Sequence, residues 1–181
     1  MRTVTRTNER GETMEEVEIV HAHTGEGTLH LAFSVYVFTP DHKKFLMQRR
    51  AKGKMLFAGF WANTCCSHPF PNETPEQAGE RRLKEELGIE CSLHQGTSFV
   101  YRAEDPNGKG VEHEHVTMLI GTLDETKKIT PDPKEVEEWK WVEIDQLERD
   151  MKEHPTQYAP WFHIGLKEIL TTNHSRPGGA H

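Results

Sequence analysis

Glu73-Thr74-Pro75-Glu76-Gln77-Ala78-Gly79-Glu80-Arg81-Arg82-Leu83-Lys84-Glu85-Glu86-Leu87-Gly88-Ile89 is the most explicit structural instruction in the chain. Thr74 has the side chain of an N-cap, Pro75 suits the first helical position, and Gln77 completes a capping box three residues after the cap. Gly88 supplies the stop. The spacing therefore predicts a helix from Pro75 to Leu87. Its apolar face is thin, only Ala78, Leu83 and Leu87, and the rest is charged. Adjacent acids and arginines at one end read either as i,i+4 pairing on a solvated face or as ligands.

Just before the helix stands Trp61-Ala62-Asn63-Thr64-Cys65-Cys66-Ser67-His68-Pro69. In an extended segment residues two apart share a side, so Cys66 and His68 face one way and Cys65 and Ser67 the other. A thiol beside an imidazole serves as nucleophile, acid/base or metal ligand, or is simply a small buried apolar residue.

Working outward, Met1 to Glu15 shows no strong periodicity, and Val17 to His23 alternates as a short strand. A glycine loop (His23 to Thr28) leads into a buried strand, Leu31 to Phe38. The turn Thr39-Pro40-Asp41-His42-Lys43 brings Lys44 to Arg49 back as its hairpin partner. Arg50 to Phe60 is a basic-to-aromatic loop. Beyond the helix, Ser98 to Arg102 and Val111 to Leu123 are strands joined by Asp105-Pro106-Asn107-Gly108. Val136 to Ile144 alternates Trp139 and Trp141 against charges. Asp145 is positioned to cap a helix to about Glu153, Pro155 breaks it, and a last helix runs from about Pro160 to Leu170. Hairpins mixed with helices imply an α/β sandwich with a mixed sheet, not a doubly wound parallel fold. Residues 1–173 form one domain, and 174–181 read as a disordered tail.

With 22 basic and 29 acidic residues the net charge is −7, which argues against a nucleic-acid partner gripped through its phosphates. Three cysteines, two adjacent, do not make a disulfide framework. The start lacks a signal peptide's apolar run, and no stretch reaches the roughly 18 apolar residues of a membrane span. These features place the protein in the cytoplasm, without a membrane.

Three further constellations hold chemistry. In Val111-Glu112-His113-Glu114-His115 both carboxylates project to one face of a strand. Side by side they repel unless a cation or shared proton lies between them, and the bland alternative is an edge strand with alternating charge. His23 and His30 flank the glycine loop. With His68, Glu112 and Glu114 they make a five-member nitrogen/oxygen set suited to six-coordinate Mn²⁺ or Mg²⁺ or a distorted Zn²⁺ site. Each histidine alone is equally a surface or satisfied core residue. Arg49-Arg50 with Lys54 is a local basic cluster with the geometry for phosphate oxygens, or an ordinary basic loop.

Taken in order, these sets resemble the type 1 isopentenyl-diphosphate isomerases, a branch of the Nudix fold. The resemblance runs from about His21 to Leu170. It is carried by His23-Thr24, Leu29 to Ser34, Arg49-Arg50-Ala51, Trp61 to Pro69, Arg81 to Gly88, Tyr101-Arg102-Ala103, Val111 to Glu114 and Pro160-Trp161. Aligned from Gly88-Ile89, the residues Glu73, Arg81, Leu83, Glu85 and Glu86 fit the Nudix box. Ser67 replaces the glycine of the box, and Arg82 replaces the first glutamate of its Arg-Glu pair. An arginine there weakens cation binding and favours phosphate, which speaks for an isomerase. The alternatives are a Nudix hydrolase of a nucleoside or prenyl diphosphate and a non-catalytic diphosphate-binding module.

The resemblance implies an α/β/α sandwich. It implies a metal held by His23, His30, His68, Glu112 and Glu114, and a Mg²⁺ at Glu86 that travels with a prenyl diphosphate. It puts Arg50, Lys54, Arg82 and Ser67 on the diphosphate, and Cys66 and Glu114 as the acid/base pair. Tyr101 assists Glu114 and Trp161 covers the apolar tail. A dry pocket lined by Phe33, Tyr101, Trp61 and Trp161, closed by the N-terminal segment, is expected, in a monomer or weak dimer. The family's diphosphate-binding lysine before the first metal histidine has no counterpart in Glu18-Ile19-Val20-His21-Ala22. Either His21 partly substitutes, or binding is weaker, or the substrate differs.

Overall fold

The structure is a computed structural model that describes residues 2–174. Of the expected tail, residues 175–181 lie outside the described residues, and His174 is the last residue of the final helix.

One mixed sheet is built around β3 (His30–Phe38). The strand is buried at almost every position, because it has neighbours on both edges and packing on both faces. Along one edge runs β8 (Val111–Thr122), parallel over nine paired positions from His30↔Glu114 to Phe38↔Thr122. β7 (Leu93–Glu104) lies antiparallel on the outer side of β8. The other edge is shared. β4 (Lys44–Arg50) pairs with β3 only at Val37↔Leu46 and Phe38↔Phe45, and β6 (Cys65–Ser67) takes over at Val35, Ser34 and Phe33. β4 then carries β5 (Trp61–Ala62) and β9 (Val136–Glu143).

Thr64 occupies the point where β3 and β4 part. Its hydroxyl accepts the Val37 N–H at 3.0 Å and donates to the Leu46 carbonyl at 2.5 Å, so the split leaves neither backbone group orphaned. The hairpin expected from Lys44 to Arg49 is present, but short for this reason.

Alternate residues of β3 feed two cores. Phe33, Val35 and Val37 pack with Ala78, Leu83 and Leu87 of α2 (Pro75–Leu87). Ala32, Tyr36 and Phe38 pack with α3 (Ile144–Glu153) and α4 (Pro160–His174) through Leu147, Met151, Trp161 and Phe162. A sheet with helices on both faces is the expected α/β/α sandwich. The helix α2 has the expected capping box, with Gly88 left-handed at φ 66°.

Three expectations change. The first fifteen residues form β1 (Thr3–Thr7) and β2 (Thr13–Glu18), paired antiparallel. Hydrophobic periodicity is blind to this hairpin because polar contacts hold it, such as Thr5 Oγ1 to Glu16 at 2.6 Å and Thr7 Oγ1 to the Glu12 carbonyl at 2.8 Å. Val17 to His23 is not one strand: β2 ends at Glu18, and Ile19–Ala22 makes one helical turn, α1, which brings the His23 amide back to Ile19. Asp145 does not cap α3. Glu143 stands at the cap without a side-chain bond, and Asp145 lies in the first turn, where a negative charge suits the helix dipole.

Candidate active site

Strand register assembles the site. His30 pairs with Glu114 across β3 and β8, and Glu114 pairs with Tyr101 across β8 and β7. On the other edge Ser34 faces Cys66. His23 comes from the end of α1, where its backbone carbonyl accepts the Val111 N–H at 2.9 Å. Gly110 is required beside it, because a Cβ there would meet the His23 carbonyl oxygen at 2.4 Å.

Donor atoms of His23, His30, His68 and Glu114 all lie within 4.8 Å of one another. His68 Nε2 is 3.0 Å from Glu114 Oε1 and 3.1 Å from His30 Nε2. Glu112 stands beside this group rather than within it, its Oε2 3.0 Å from His23 Nε2. His113 and His115 take the other parity: His113 turns to the Gly27 carbonyl and His115 lies over Gly11.

The chemistry of this donor set fits a cation. The Nδ1 atoms of His23 and His30 each lie 2.7 Å from a backbone carbonyl, which can only accept, so both Nδ1 atoms donate. In the neutral rings both Nε2 lone pairs then point inward. Acceptors facing acceptors near 3 Å need protons shared between them, or a divalent ion in their place. Burial is the largest single influence on His23 and opposes charging it, but the Glu112 hydrogen bond and charge, the Ile19 carbonyl and the Glu114 charge together outweigh it and raise its proton affinity. His68 goes the other way, driven down by burial to about 4. The two carboxylates are driven apart. Burial and then the Glu114 charge push Glu112 up. Burial also works on Glu114, but the neighbouring His30 imidazole at 3.6 Å and His68 imidazole at 3.0 Å hold it well below the usual range. Tyr101 Oη donates to Glu114 Oε2 at 2.7 Å.

Cys66 packs against the core that contains Tyr101 and Trp161, while Cys65 lies in the core of α2. Burial raises the Cys66 thiol to about 11, and the opposing Arg50 charge is the weaker effect. Arg50 Nη1 lies 3.4 Å from the sulfur, and the guanidinium is otherwise held by the Leu56 and Phe57 carbonyls. Trp161 lies over Arg50, 5.3 Å from ring centroid to guanidinium carbon, and donates its indole N–H to Asn63 Oδ1 at 2.9 Å.

On the α2 side of the sheet, Arg82 donates to Glu85, Glu86 and Glu135. Glu135 also holds Lys54 at 2.5 Å. Glu86 is buried and accepts from Gln48 at 3.1 Å. Ser67 is buried and accepts from Arg2 at 3.1 Å. His21 is exposed on α1. The expected lining is corrected at Phe33, whose parity on β3 sends it into the α2 core, away from Tyr101 and Trp161. Phe57 takes that place, edge-on to Trp161 at 5.2 Å. Sequence reasoning missed Phe57, Gln48, Glu135 and Arg2. Of these only Arg2 and Glu135 had a signal, a charge near a turn or terminus, and it is a weak one.

The fold and this His/Glu centre define a Nudix protein: the NUDIX domain matches residues 28–162. Solved structures agree at the level of fold. A Deinococcus radiodurans protein superposes with a TM-score of 0.66 at 18% identity, covering 84% of this chain and 90% of its own. The Nudix hydrolase RenU from M. smegmatis superposes with a TM-score of 0.58 at 20% identity, covering 99% of both. Curated relatives are more specific. Isopentenyl-diphosphate Delta-isomerase of Halorhodospira halophila is 42% identical over 87% of this chain and 89% of its own length. That of Nocardia farcinica is 41% identical over 90% and 89%, and isopentenyl-diphosphate Delta-isomerase 2 of Aromatoleum aromaticum 40% over 85% and 79%. The chain belongs to the isopentenyl-diphosphate Delta-isomerase family within the Nudix fold.

Proposed function

We propose that the protein interconverts isopentenyl and dimethylallyl diphosphate by protonation and deprotonation. One observation carries the reading. Cys66 packs on the core around Tyr101 and Trp161, and Glu114 accepts the Tyr101 hydroxyl of that same core at 2.7 Å, so a thiol that burial favours as protonated and an ionised carboxylate share it.

The reaction adds one proton and removes another, through a tertiary carbocation. The Cys66 S–H delivers its proton to the terminal alkene carbon. The Glu114 carboxylate takes a proton from the methylene between the cationic carbon and the ester-bearing carbon. The C–H electron pair becomes the new double bond between that methylene carbon and the cationic carbon. In the reverse direction the two exchange roles. Tyr101, donating to Oε2, fixes the carboxylate, and the indole face of Trp161 stabilises the cation. Asn63 holds that indole in place. Phe57 and Trp161 exclude the water that would capture the cation.

His23, His30, His68 and Glu114, with Glu112 beside them, would hold Mn²⁺, Zn²⁺ or Mg²⁺, and Glu86 a Mg²⁺ that accompanies the diphosphate. A divalent ion bound there supplies the positive charge the converging acceptors need. Arg50, Lys54, Arg82 and Ser67 bind the diphosphate. Hydrolysis is disfavoured because the remaining box acids are engaged: Glu73 binds Arg81 at 2.7 Å and Glu85 binds Arg82 at 2.6 Å. None of the helices among the described residues is long and apolar enough to cross a membrane. We assign the protein to the cytoplasm, as a monomer or weak dimer with residues 1–173 as one domain. The test is incubation of the pure protein with isopentenyl diphosphate and Mg²⁺. Dimethylallyl diphosphate should form with wild type and not with Cys66→Ala. No product, or equal product from both, refutes the reading.

A further inference from the structure

Two arginines near the site stand apart from the ion-pair pattern. Arg81 and Arg82 are matched by Glu73, Glu85, Glu86 and Glu135. Among the described residues neither Arg50 nor Arg2 has a carboxylate within ion-pair distance. Arg50 is satisfied by two carbonyls and the Cys66 sulfur. The side chain of Arg2, just before β1, has a single hydrogen-bond partner among the described residues, the Ser67 hydroxyl at 3.1 Å.

Its position is built rather than incidental. The Arg2 carbonyl accepts the Ile19 N–H at 3.0 Å, and the β1–β2 ladder begins at the next residue with Thr3↔Glu18. The hairpin thus clamps the backbone of Arg2 while its side chain reaches across to β6. What it meets there is positive. Partial burial and the charge of Arg82 lower its proton affinity. Glu135 offsets part of this, Arg81 adds to it, and Glu85 offsets a little more. Arg82 contributes a second signal: it is 8% exposed, and its Nε has no hydrogen-bond partner although both Nη atoms are bonded. A buried N–H without an acceptor is costly. Arg2 is exposed, so water serves its other donors, but its charge lies in the field of Arg82 and its side chain is anchored on a lone hydroxyl, with no carboxylate of the described residues within ion-pair distance to neutralise it. One acceptor-rich anion resolves both, and a phosphate group matches the arginine fork.

We propose that Arg2 is a substrate-binding residue that, with Ser67 and the Nε of Arg82, holds the terminal phosphate of the diphosphate. This rests on the isomerase reading for the identity of the substrate, not for the anion site itself. It makes the N-terminal hairpin part of the binding site rather than a peripheral addition to the sheet.

The test compares wild type with Arg2→Gln, Arg2→Lys and a control, Arg10→Gln, in the exposed β1–β2 turn. Two constants are read: KM for isopentenyl diphosphate and the dissociation constant of inorganic diphosphate by calorimetry. A charged hydrogen bond predicts that Arg2→Gln raises both about tenfold or more, with kcat changed much less, since a tenfold change needs only about 1.4 kcal/mol. Arg2→Lys should recover part of the loss, and Arg10→Gln should match wild type. If Arg2→Gln leaves both constants within twofold, or Arg10→Gln weakens binding as much, the proposal is overturned. Should Arg2→Gln unfold, the lysine variant decides: weaker diphosphate binding at wild-type thermal stability supports the site, and unchanged binding overturns it. Wild type that binds diphosphate through Arg2 yet does not isomerise sinks the functional reading alone. Wild type that isomerises with constants indifferent to Arg2 sinks this inference alone.

Discussion

Tyr101→Phe removes one oxygen atom and keeps the ring in place. The phenol is 6% exposed and its ring lies 6.1 Å from Phe99 and 5.9 Å from Trp161, contacts that phenylalanine preserves. What is lost is the 2.7 Å bond to Glu114 Oε2. Burial and then the Glu114 charge hold the tyrosine pKa far above neutrality, so it is a donor across the working range. Oε1 keeps His68 at 3.0 Å, but Oε2 has no second donor among the described residues. A hydrogen bond to a charged group contributes about 1.5–3 kcal/mol. At about 1.36 kcal/mol per pKa unit, the proton affinity of Glu114 should rise by about one to two units. Without that bond the carboxylate is no longer fixed toward the substrate carbon, and kcat should fall about 10- to 100-fold. The assay is isomerisation rate against pH from about 3.5 to about 9, with KM measured at each point and folding checked at the acid end. Ionised Glu114 is the active form, so raising its pKa moves the low-pH limb of the profile upward. KM should stay within about twofold, since the diphosphate contacts are elsewhere. An unchanged kcat, or a loss entirely in KM with the low-pH limb unmoved, would refute the role given to the phenol.

Asn63→Ala should destabilise the fold by roughly 2–4 kcal/mol in urea unfolding, because it strips partners from the Trp161 N–H and the Val35 and Cys65 carbonyls together. Removing divalent ions with a chelator should lower the unfolding temperature by about 5–10 °C if the ion was present at about 100 times its Kd. His30→Ala should abolish that difference, and a wild type indifferent to chelator would count against a metal centre. Alkaline stability follows from Cys66. Its pKa is raised from 9.0 to about 11, so between these values the folded state holds a proton the unfolded state has lost. Stability is intact below about pH 9 and declines above it, by about 1.4 kcal/mol at pH 10 from this group. Comparing denaturant midpoints of wild type and Cys66→Ala from pH 8 to 10.5 isolates that share, and parallel declines would contradict it.

The sequence displays these features unevenly, and the differences have physical causes. The helix α2 is legible residue by residue because its ends are written in local chemistry, the Thr74–Gln77 box and Gly88. β3 is legible because a strand buried on both faces must be apolar throughout. Parity placed Cys65 and Cys66 on different cores. Neither β1 nor β2 has an apolar stripe, since threonine hydroxyls and glutamates hold them, and no window of hydrophobicity finds such a hairpin. Phe33 was misplaced for a different reason. Its aromatic character suits either core, and only the register of β3 says which one receives it. Gln48 on β4 and Glu135 in the turn before β9 join the site from distant parts of the chain; no local pattern marks Gln48, and Glu135 shows only a charge near a turn.

The same register explains why the thiol and imidazole of Cys66-Ser67-His68 are not a catalytic dyad. Cys66 faces Ser34 on β3 and its sulfur meets Arg50. His68, two residues on, lies past the end of β6 and turns its Nε2 to Glu114 on the far side of β3. Between them Ser67 points to the opposite face and meets Arg2. In the proposed reading, three consecutive residues thus face three sites: Cys66 the carbon skeleton, Ser67 the diphosphate and His68 the metal centre. This is possible only because β6 is a three-residue strand set into the gap between β3 and β4. That gap exists because Thr64 satisfies the Val37 and Leu46 backbone groups which a continuous β3–β4 ladder would have paired. The split in the sheet is therefore the structural origin of the candidate site. Residues on either side of it, Arg50 on β4 and Cys66 on β6, meet across an opening that an unbroken sheet would have closed.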